Sequence, residues 1–229
     1  RQTIYPSRGL IYDRKGELLV ANQPIYEVTV IVREMQNSAF DTLSFCEKLQ
    51  ITPEEFEERM QNIQNPRRNR GFSRYSPQVF MDQLHQEDVA ALQQELYKYA
   101  GVDIRCRTLR DYMYPIASHV LGSVGEVNQR DLERDSYYSA GDYSGRDGIE
   151  RTYEQELRGE KGVKILMRDS RGRIQGAYQN GELDKEAVTG SDLHLGLDIQ
   201  TQLLAEKLMY GKVGSVVAIE PQTGEVLAL

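Results

Sequence analysis

The hydrophobic period of the sequence changes twice along the chain, and these changes limit the folds that the chain can adopt. Between Tyr26 and Val32 apolar residues at every second position mark a half-buried strand. From about Ser38 the apolar residues recur at helical spacing, and from Val102 to Cys106 the period of two returns. The pattern predicts an α+β fold, in which a β-rich body carries a protruding α+β insertion at 38–106.

The first half of the insertion contains two helix signatures. Phe40, Leu43 and Leu49 are spaced as the apolar face of a first helix. In "TPEEFEERMQNI", Thr52 is suited to the N-cap of a second helix, with proline at the first helical position and Glu55 at the third. This arrangement predicts a capping box.

The second half of the insertion returns to the β-rich body. "PQVFMDQL" predicts a strand, and "HQEDVAALQQELYKYAG" predicts a helix that ends at Gly101. The strand "VDIRCRTLRDY" then places Cys106 on the same face as Val102 and Ile104. Cys46 and Cys106 are far apart in sequence and match no metal-ligand spacing, so we expect two unpaired, buried thiols in preference to a disulfide between them, and no metal site.

The stretch "RDGIERTYEQELRGEKG" has the clearest helical pattern of the chain. Ile149, Tyr153 and Leu157 fall on one helical stripe. Asp147 is suited to the N-cap, and Gly159 is suited to end the helix. The spacing therefore predicts one continuous helix between these two residues.

The last part of the chain contains signatures of a second domain. "VKILMRDSRGRIQG" predicts a hairpin about "DSRG", and the polar stretch "GELDKEAVTGSD" predicts a linker. A short strand follows, then a helix from an N-cap at Asp198 through Met209, and finally the hairpin "GSVVAIEPQTGEVLAL". Because a two-stranded hairpin is marginal alone, we expect domains at 1–189 and 190–229, the second incomplete, poorly packed and exposing an apolar face.

Composition narrows the class of protein. The net charge of −7 argues against general nucleic-acid binding, and no apolar run approaches the roughly 18 residues of a membrane helix. Apolar content of 39% and charged content of 28% favour an elongated molecule over one compact globule. The stretch "NPRRNRGFSR" has four arginines and no acidic residue. It is either a solvated loop or a contact for an anionic partner or lipid headgroups through Arg67, Arg68 and Arg70.

The sequence contains no recognisable catalytic set. Ser-x-x-Lys, Ser-x-Asn, Lys-Thr-Gly, the G-x-S-x-G elbow and the phosphate-binding loop are all absent. His119 has no nucleophile near it in sequence, which favours a hydrogen-bonded structural histidine over a general base. The fourteen tyrosines are spread along a chain without tryptophan, which gives little support to a carbohydrate-binding module. We expect this chain to have no enzymatic activity of its own and no cofactor.

Three glycine-punctuated motifs follow one another along the chain: "RGLIYDRKGELLVAN" (8–22), "RDYMYPIASHVLGSVGEVN" (110–128) and "GRDGIERTYEQELRGEKG" (145–162). They resemble the first, second and third motifs of the non-catalytic N-terminal pedestal, or dimerisation, module of class B penicillin-binding proteins. Within that family the resemblance is closest to elongation-type penicillin-binding protein 2. "DSRGR", "GSDLHLGLDIQTQLLAEKL" and "GSVVAIEPQTGEVLAL" resemble the start of its α/β transpeptidase domain. The motif residues to which we assign structural roles are Arg8, Gly9, Asp13, Arg14, Gly16, Arg110, Tyr114, Pro115, His119, Gly122, Gly145, Gly148, Glu150, Tyr153, Leu157, Gly159 and Gly162.

The chain departs from the family pattern at one place. Only "IAS" separates Pro115 from His119, where the family usually has a longer link that contains glycine. This departure leaves the local geometry of the second motif open.

The resemblance implies a scaffold role in cell-wall elongation. The family's pedestal holds a D,D-transpeptidase domain away from the bacterial inner membrane, on its periplasmic side. It also engages a SEDS-family membrane glycosyltransferase and other elongation proteins, and it is compatible with a homodimer. Arg1 is not a natural start, so we expect a piece of a longer chain whose N-terminal membrane anchor precedes it. The catalytic residues that act on peptidoglycan would follow Leu229.

A different class of function remains open on the sequence. The chain could be a free-standing extracellular interaction domain whose last hairpin completes its own sheet. The encoded sequence after Leu229 discriminates between the two, because a Ser-x-x-Lys soon downstream would indicate the transpeptidase.

Glu150 has two interpretations. As the third residue after an N-cap at Asp147, it can accept a hydrogen bond from the N-cap amide. It can also pair with Arg8 and so join the first motif to the third, since the arginine fork suits a carboxylate and Gly9 and Gly148 allow a close approach of the two backbones.

Overall fold

The computed structural model describes residues 2–36, 40–69, 72–139, 141–168 and 174–229. The chain forms two compact units, one of Pro24–Leu109 and the other of Arg1–Gln23 together with Arg110–Leu229. Both units combine strands and helices, so the predicted α+β class is confirmed. The predicted limits of the insertion and of the second domain stay predictions.

The unit Pro24–Leu109 is built on part of one sheet. The strand Leu18–Val30 pairs antiparallel with Gln78–Leu84 and also pairs with Val102–Tyr112. The helices of this unit are Val32–Gln36, Thr42–Leu49, Pro53–Gln64 and Gln86–Glu95, followed by the 3₁₀ turn Leu96–Lys98. Its core contains a cluster of aromatic rings in which centroids lie 5.2–6.3 Å apart, made of Phe40, Phe45, Phe56, Phe80 and Tyr99.

Local capping chemistry explains where the central helix of this unit begins. The Thr52 hydroxyl accepts a hydrogen bond from the Glu55 amide, and the Glu55 carboxylate accepts one from the Thr52 amide. The predicted capping box is therefore confirmed. The preceding helix differs from its prediction, because Leu43 is 71% exposed while Phe45, Cys46 and Leu49 form the buried face.

Three further predictions for this unit were wrong in detail. Val32 begins a short helix instead of continuing the strand. The α-helix that was expected to reach Gly101 ends at Glu95, and a 3₁₀ turn intervenes before Gly101 adopts a φ of 80°. Cys106 is exposed, because the neighbouring Arg107 turns inward and forms an ion pair with the buried Glu27 at 2.8 Å. Cys46 is buried, and burial raises the pKa of its thiol.

The other unit is assembled from short strands. Their pairings are Gln2–Ile4 with Gly162–Lys164, Ile11–Tyr12 with the start of Leu18–Val30, Leu193–His194 with Ile11–Tyr12, Val124–Glu126 with Tyr143–Gly145, Leu166–Arg168 with Ile174–Ala177, and Ala218–Ile219 with Val226–Ala228. The pairing of Leu193–His194 with Ile11–Tyr12 is parallel, and the others are antiparallel. The helices are Ser118–Leu121, Gln129–Arg134, Gly148–Thr152, Glu154–Leu157 and Ile199–Met209, with a 3₁₀ turn at Tyr178–Gly181.

The predicted single helix between Asp147 and Gly159 is wrong. It is interrupted at Tyr153, whose φ of −106° and ψ of 31° are not helical. Leu157 is fully buried in the core of this unit, whereas the Tyr153 ring is 44% exposed. Two short helices therefore replace one continuous stripe.

The segment 190–229 contains the elements that its sequence predicted. The helix Ile199–Met209 begins at an N-cap on Asp198, whose carboxylate accepts a hydrogen bond from the Thr201 amide. The helix start is packed, because Ile199 is buried in the core. The predicted apolar face is also present, since side chains such as Leu204, Leu208 and Ile219 are more than half exposed.

Two features complete the description. The strands of the hairpin predicted about "DSRG" are present, and its turn lies outside the described residues. Among the helices of the described ranges, none has both the length and the apolar character needed to span a membrane.

Candidate functional site

Glu150 is a fully buried carboxylate that two arginines share. Its side chain is 0% exposed, that of Arg8 is 11% exposed and that of Arg110 is 4% exposed. Arg8 Nε donates to Glu150 Oε2 at 2.7 Å, and Arg110 Nε donates to Glu150 Oε1 at 2.7 Å. The predicted pair of Arg8 and Glu150 is thus present, and Arg110 joins it. All three motifs meet at one side chain.

Two residues that the sequence analysis did not single out complete this charge cluster. Arg8 Nη2 donates to Glu154 Oε2 at 2.5 Å, and also to the Glu150 main-chain oxygen at 2.9 Å. Asn22 accepts a hydrogen bond from Arg110 Nη1 at 2.9 Å and donates one to the Arg8 main-chain oxygen. The spacing of four between Glu150 and Glu154 was a usable signal, because such a pair lies on one face of a helix.

The electrostatics of the cluster are balanced, with two arginines facing two carboxylates. Burial lowers the pKa of Arg8, but the hydrogen bond to Glu154 and the charge of Glu150 outweigh it and leave that pKa raised. Burial is also the largest influence on the pKa of Arg110, and it lowers that pKa below its ordinary value. Burial raises the pKa of Tyr112, on the same strand as Arg110, to about 12. The arginines stay protonated, so the cluster is a set of buried ion pairs.

The local capping interpretation of Glu150 is wrong. The helix Gly148–Thr152 has no capping box, because both Glu150 carboxylate oxygens accept hydrogen bonds from arginines and the Asp147 side chain makes none to the amides of this helix. Asp147 Oδ1 instead accepts hydrogen bonds from the Ser123 amide at 2.5 Å and the Ser123 hydroxyl at 2.8 Å. With Glu150 turned toward the arginines, both carboxylates join separate segments of the chain.

The turn Asp13–Gly16 of the first motif contacts the segment that follows residue 189. Asp13 Oδ1 accepts hydrogen bonds from the Lys15 and Glu17 amides, and Asp13 Oδ2 accepts one from the Ile199 amide at 3.4 Å. Arg14 Nη2 lies 2.8 Å from Glu220 Oε2 and 3.0 Å from Glu225 Oε2. Lys15 Nζ also lies 2.5 Å from Asp198 Oδ2. Three consecutive charged residues of the first motif therefore contact the segment after residue 189.

Several glycines of the first and third motifs lie where two backbones cross. The Gly9 amide donates to the Leu157 main-chain oxygen at 2.9 Å, and a Cβ at Gly9 would lie 1.9 Å from the Ser191 oxygen. A Cβ at Gly159 would lie 2.3 Å from the Val188 oxygen, and one at Gly162 would lie 2.6 Å from the Lys185 oxygen. The stretch predicted as a polar linker therefore packs against two motifs.

The second and third motifs also cross at glycines. A Cβ at Gly122 would lie 2.0 Å from the Asp147 oxygen, and one at Gly148 would lie 2.4 Å from the Val120 oxygen. Both glycines have a positive φ, of 82° and 56°. A Cβ at Gly145 would lie 2.1 Å from the Glu150 oxygen.

Other predicted motif residues do not join the charge cluster. Gly16 serves its own turn with a φ of 84°, and Tyr114 packs against the core of this unit. Pro115 and His119 are exposed. The structural role expected of His119 stays a prediction.

A second set of contacts holds the tyrosine-rich loop that precedes the third motif, and sequence reasoning missed it. Arg158 Nη1 donates to Asp135 Oδ2 at 2.6 Å, while its guanidinium lies 4.0 Å from the centroid of the Tyr137 ring. Lys161 Nζ contacts the Asp142 carboxylate and lies 4.6 Å from the Tyr137 centroid. Arg158 and Lys161 of the third motif thus stabilise the tyrosine-rich loop that precedes it.

The remaining candidate residues lie in the other unit. Arg67 and Arg68 are exposed, and Arg68 Nη1 donates to Asn62 Oδ1. Arg70 lies outside the described residues. Over the described ranges, no group of three or more His, Cys, Asp and Glu side chains is placed to bind a metal ion.

Comparisons with known proteins identify the fold. The family described as "Penicillin-binding Protein dimerisation domain" matches residues 3–195. The chain is 30% identical to peptidoglycan D,D-transpeptidase MrdA of Acinetobacter baumannii, over 100% of this chain and 33% of that protein. It is 32% identical to MrdA of Escherichia coli K12, over 99% of this chain and 35% of that protein. The chain therefore spans about a third of the length of these curated relatives.

A solved structure gives the same assignment. In the complex between penicillin-binding protein PBP2 and MreC from Helicobacter pylori, one chain superposes with a TM-score of 0.72 and 25% identity, over 99% of this chain and 41% of that chain. The motifs that meet at Glu150 lie inside the matched region. The chain belongs to the penicillin-binding protein dimerisation domain family.

Proposed function

We propose that this chain is the non-catalytic pedestal of a membrane-anchored peptidoglycan D,D-transpeptidase that acts in cell-wall elongation. The observation that carries the proposal is the meeting of all three motifs at Glu150, in a chain whose relatives are named D,D-transpeptidases. The carboxylates of this cluster accept hydrogen bonds from arginine, main-chain amide and tyrosine donors. Such a cluster holds chain segments together, whereas proton transfer requires a group within reach of substrate.

The contacts of the first motif support a positioning role. Asp13, Arg14 and Lys15 all bind the helix Ile199–Met209, its N-cap or the hairpin after it. In the longer protein that we propose, this segment would lead into the catalytic domain on the periplasmic side of the inner membrane. The reaction there would be acyl transfer from a stem peptide through a serine ester.

A chimera tests the positioning role. Residues 1–229 replace the matched segment of the E. coli MrdA relative, in cells depleted of their own copy. We expect the chimera to bind a fluorescent penicillin covalently and to restore growth as rods. A stable chimera that binds no penicillin would contradict the positioning role, and one that binds penicillin without restoring shape would contradict the role in elongation.

We also propose that the unit Pro24–Leu109 contacts a SEDS-family membrane glycosyltransferase and other elongation proteins. The Helicobacter pylori relative was solved with MreC, which supports an assembly role for proteins of this family. The unit exposes the side chains of Leu43, Tyr75 and Tyr97 and the cationic pair Arg67 and Arg68. Exposed aromatic and arginine side chains are the residue types enriched in protein interfaces.

Charge reversal tests this contact. The double variant Arg67→Glu, Arg68→Glu should reduce copurification of the glycosyltransferase with the full-length protein at least tenfold. The matched control is Arg130→Glu, Arg134→Glu, two exposed arginines of the other unit, which should leave copurification unchanged. Equal recovery in both variants would argue against the arginine loop as a contact.

A further inference from the structure

Gln202 is the centre of a hydrogen-bond chain that lies outside the three motifs. It belongs to the helix Ile199–Met209 and is 1% exposed. Its Nε2 donates to the Leu229 main-chain oxygen at 3.0 Å, and the Leu229 amide donates to its Oε1 at 2.9 Å. The side-chain amide thus pairs with the main chain of Leu229 as a neighbouring strand would, directly after the strand Val226–Ala228.

Glu206 lies one helical turn later and connects Gln202 to the second motif. Its Oε1 accepts hydrogen bonds from Gln202 Nε2 at 2.9 Å and from the Ala117 amide at 2.6 Å. Ala117 is buried and has a φ of 48°, a left-handed conformation that residues other than glycine usually avoid. Its contacts therefore hold the amide in a direction that the backbone alone would not favour.

Glu206 also contributes to the direction in which the Gln202 amide faces. The two Nε2 hydrogens are both used, one by Glu206 and one by Leu229. Reversing the amide would place Oε1 against the Glu206 carboxylate and the Leu229 carbonyl, so that acceptors would face only acceptors. Glu206 and the Leu229 main chain therefore favour the same orientation of the Gln202 amide, and the carboxylate of Glu206 adds to the stability of the pairing.

We propose that Glu206 and Gln202 form a relay that couples the backbone at Ala117 to the position of the terminal hairpin Ala218–Ala228. When the Ala117 amide turns away, Glu206 loses one of its two donors and holds the Gln202 amide less firmly. The hairpin strand is then released at Leu229. The relay concerns residues of this chain alone, so it does not depend on the proposed function.

Amide hydrogen exchange, measured by NMR on the 229-residue chain, tests the relay. Glu206→Met removes the acceptor without touching Leu229, and we expect the Leu229 amide to exchange about fivefold faster, the equilibrium change that one net hydrogen bond produces. Glu206→Gln keeps an acceptor oxygen and should restore most of the protection. Gln202→Met should speed exchange at both Leu229 and Ala117, while Gln200→Met, an exposed position on the same helix, should change neither.

Reference amides separate a relay from a general loss of stability. The amides of Gly9 and Leu157 donate to the Leu157 and Tyr153 main-chain oxygens of the same unit, outside the relay, so their exchange should stay constant. If Glu206→Met accelerates exchange at Ala117 but leaves Leu229 unchanged, the two bonds are independent and the proposal is overturned. Uniform acceleration at all four amides would overturn it equally. Glu206 is exposed, so its variants decide the question even where Gln202→Met fails to fold.

Discussion

Glu150 illustrates how a buried charge stabilises a fold only as part of a complete set. Taking a carboxylate and two guanidinium groups out of water is costly, and the ion pairs offset that cost only where each charge keeps its partner. The Glu150 carboxylate keeps an arginine on each oxygen at 2.7 Å. Any single substitution in this set therefore removes a partner from a buried charge.

Removal of either partner should destabilise the chain strongly. We expect Arg8→Ala and Glu150→Ala each to lower the free energy of unfolding by about 3–5 kcal/mol, since each removes a charged partner from a buried ion pair. The double variant should cost much less than the sum of the two. The measurement is a double-mutant cycle by urea unfolding, with Lys185→Ala and Glu160→Ala as a control cycle. That control pair is more than 60% exposed on both sides, so its coupling should stay below about 1 kcal/mol. A coupling near zero for Arg8 and Glu150 would contradict the stabilising role.

Asp198 gives the chain a stability change in acid. The hydrogen bond from Lys15, followed by that from the Thr201 amide, lowers the pKa of Asp198 to about 2. Because the pKa of an unfolded aspartate is about 3.9, this stabilisation is complete above about pH 4 and is lost as the pH falls toward 2. Unfolding midpoints in urea at several pH values should show the difference between the unaltered chain and Asp198→Asn shrinking through this window. Asp82→Asn, at an exposed position, should show no such change, and a constant difference for Asp198→Asn would contradict the assignment.

The sequence predicted the pairing of Arg8 with Glu150 but not the rest of the charge cluster. The pairing could be predicted because an arginine in one motif and a glutamate in another each lie close to a glycine, and this is visible in the sequence alone. Period-two reasoning from Val102 places both Cys106 and Arg110 on the inner face of the strand Val102–Tyr112, but of these two only Arg110 has a buried side chain. The structure buries Arg107 at that point and exposes Cys106, because the buried Glu27 supplies a partner from another strand.

Helices and strands were predicted well where their ends are set by local chemistry. The N-caps at Thr52 and Asp198 and the hairpin at Ala218–Ala228 follow from residues within one turn. The break at Tyr153 could not be predicted, because it reflects tertiary demands on both sides. Glu150 must face two arginines while Leu157 fills the core.

Gly9 should be among the least tolerant positions of the chain. A Cβ there would lie 1.9 Å from the Ser191 main-chain oxygen, so no rotamer change can relieve the clash. We expect Gly9→Ala to lower the free energy of unfolding by an amount at or above the upper end of the ~1–3 kcal/mol typical of overpacking. The control is Gly125→Ala, whose Cβ would lie 3.1 Å from the flexible Arg146 side chain. Equal unfolding midpoints for the two variants would show that the backbone crossing at Gly9 can relax.

Each of the two compact units has its own hydrophobic core. The core of Pro24–Leu109 contains the aromatic cluster around Phe45, and the core of the other unit contains Ile11, Leu121 and Leu157. A unit with its own core can fold alone in principle. The unit Pro24–Leu109 is one continuous segment, which makes it the part that can be expressed separately.

The isolated segment Pro24–Leu109 should fold cooperatively. Its two ends are joined by hydrogen bonds from the Ile31 amide to the Gly101 oxygen at 2.7 Å and from the Thr29 hydroxyl to the Asp103 oxygen at 3.3 Å, so excision removes neither contact. Circular dichroism should show a single urea transition.

Substitutions on the helix Thr42–Leu49 test which face packs in the core. Phe45 is 0% exposed, so Phe45→Ala should lower the free energy of unfolding of the segment by about 3–5 kcal/mol. Leu43→Ala, on the same helix but 71% exposed, should change stability by no more than about 0.5 kcal/mol. A segment that shows no cooperative transition would mean that its core depends on the remaining chain, and similar effects of the two substitutions would mean that the helix Thr42–Leu49 packs through a different face.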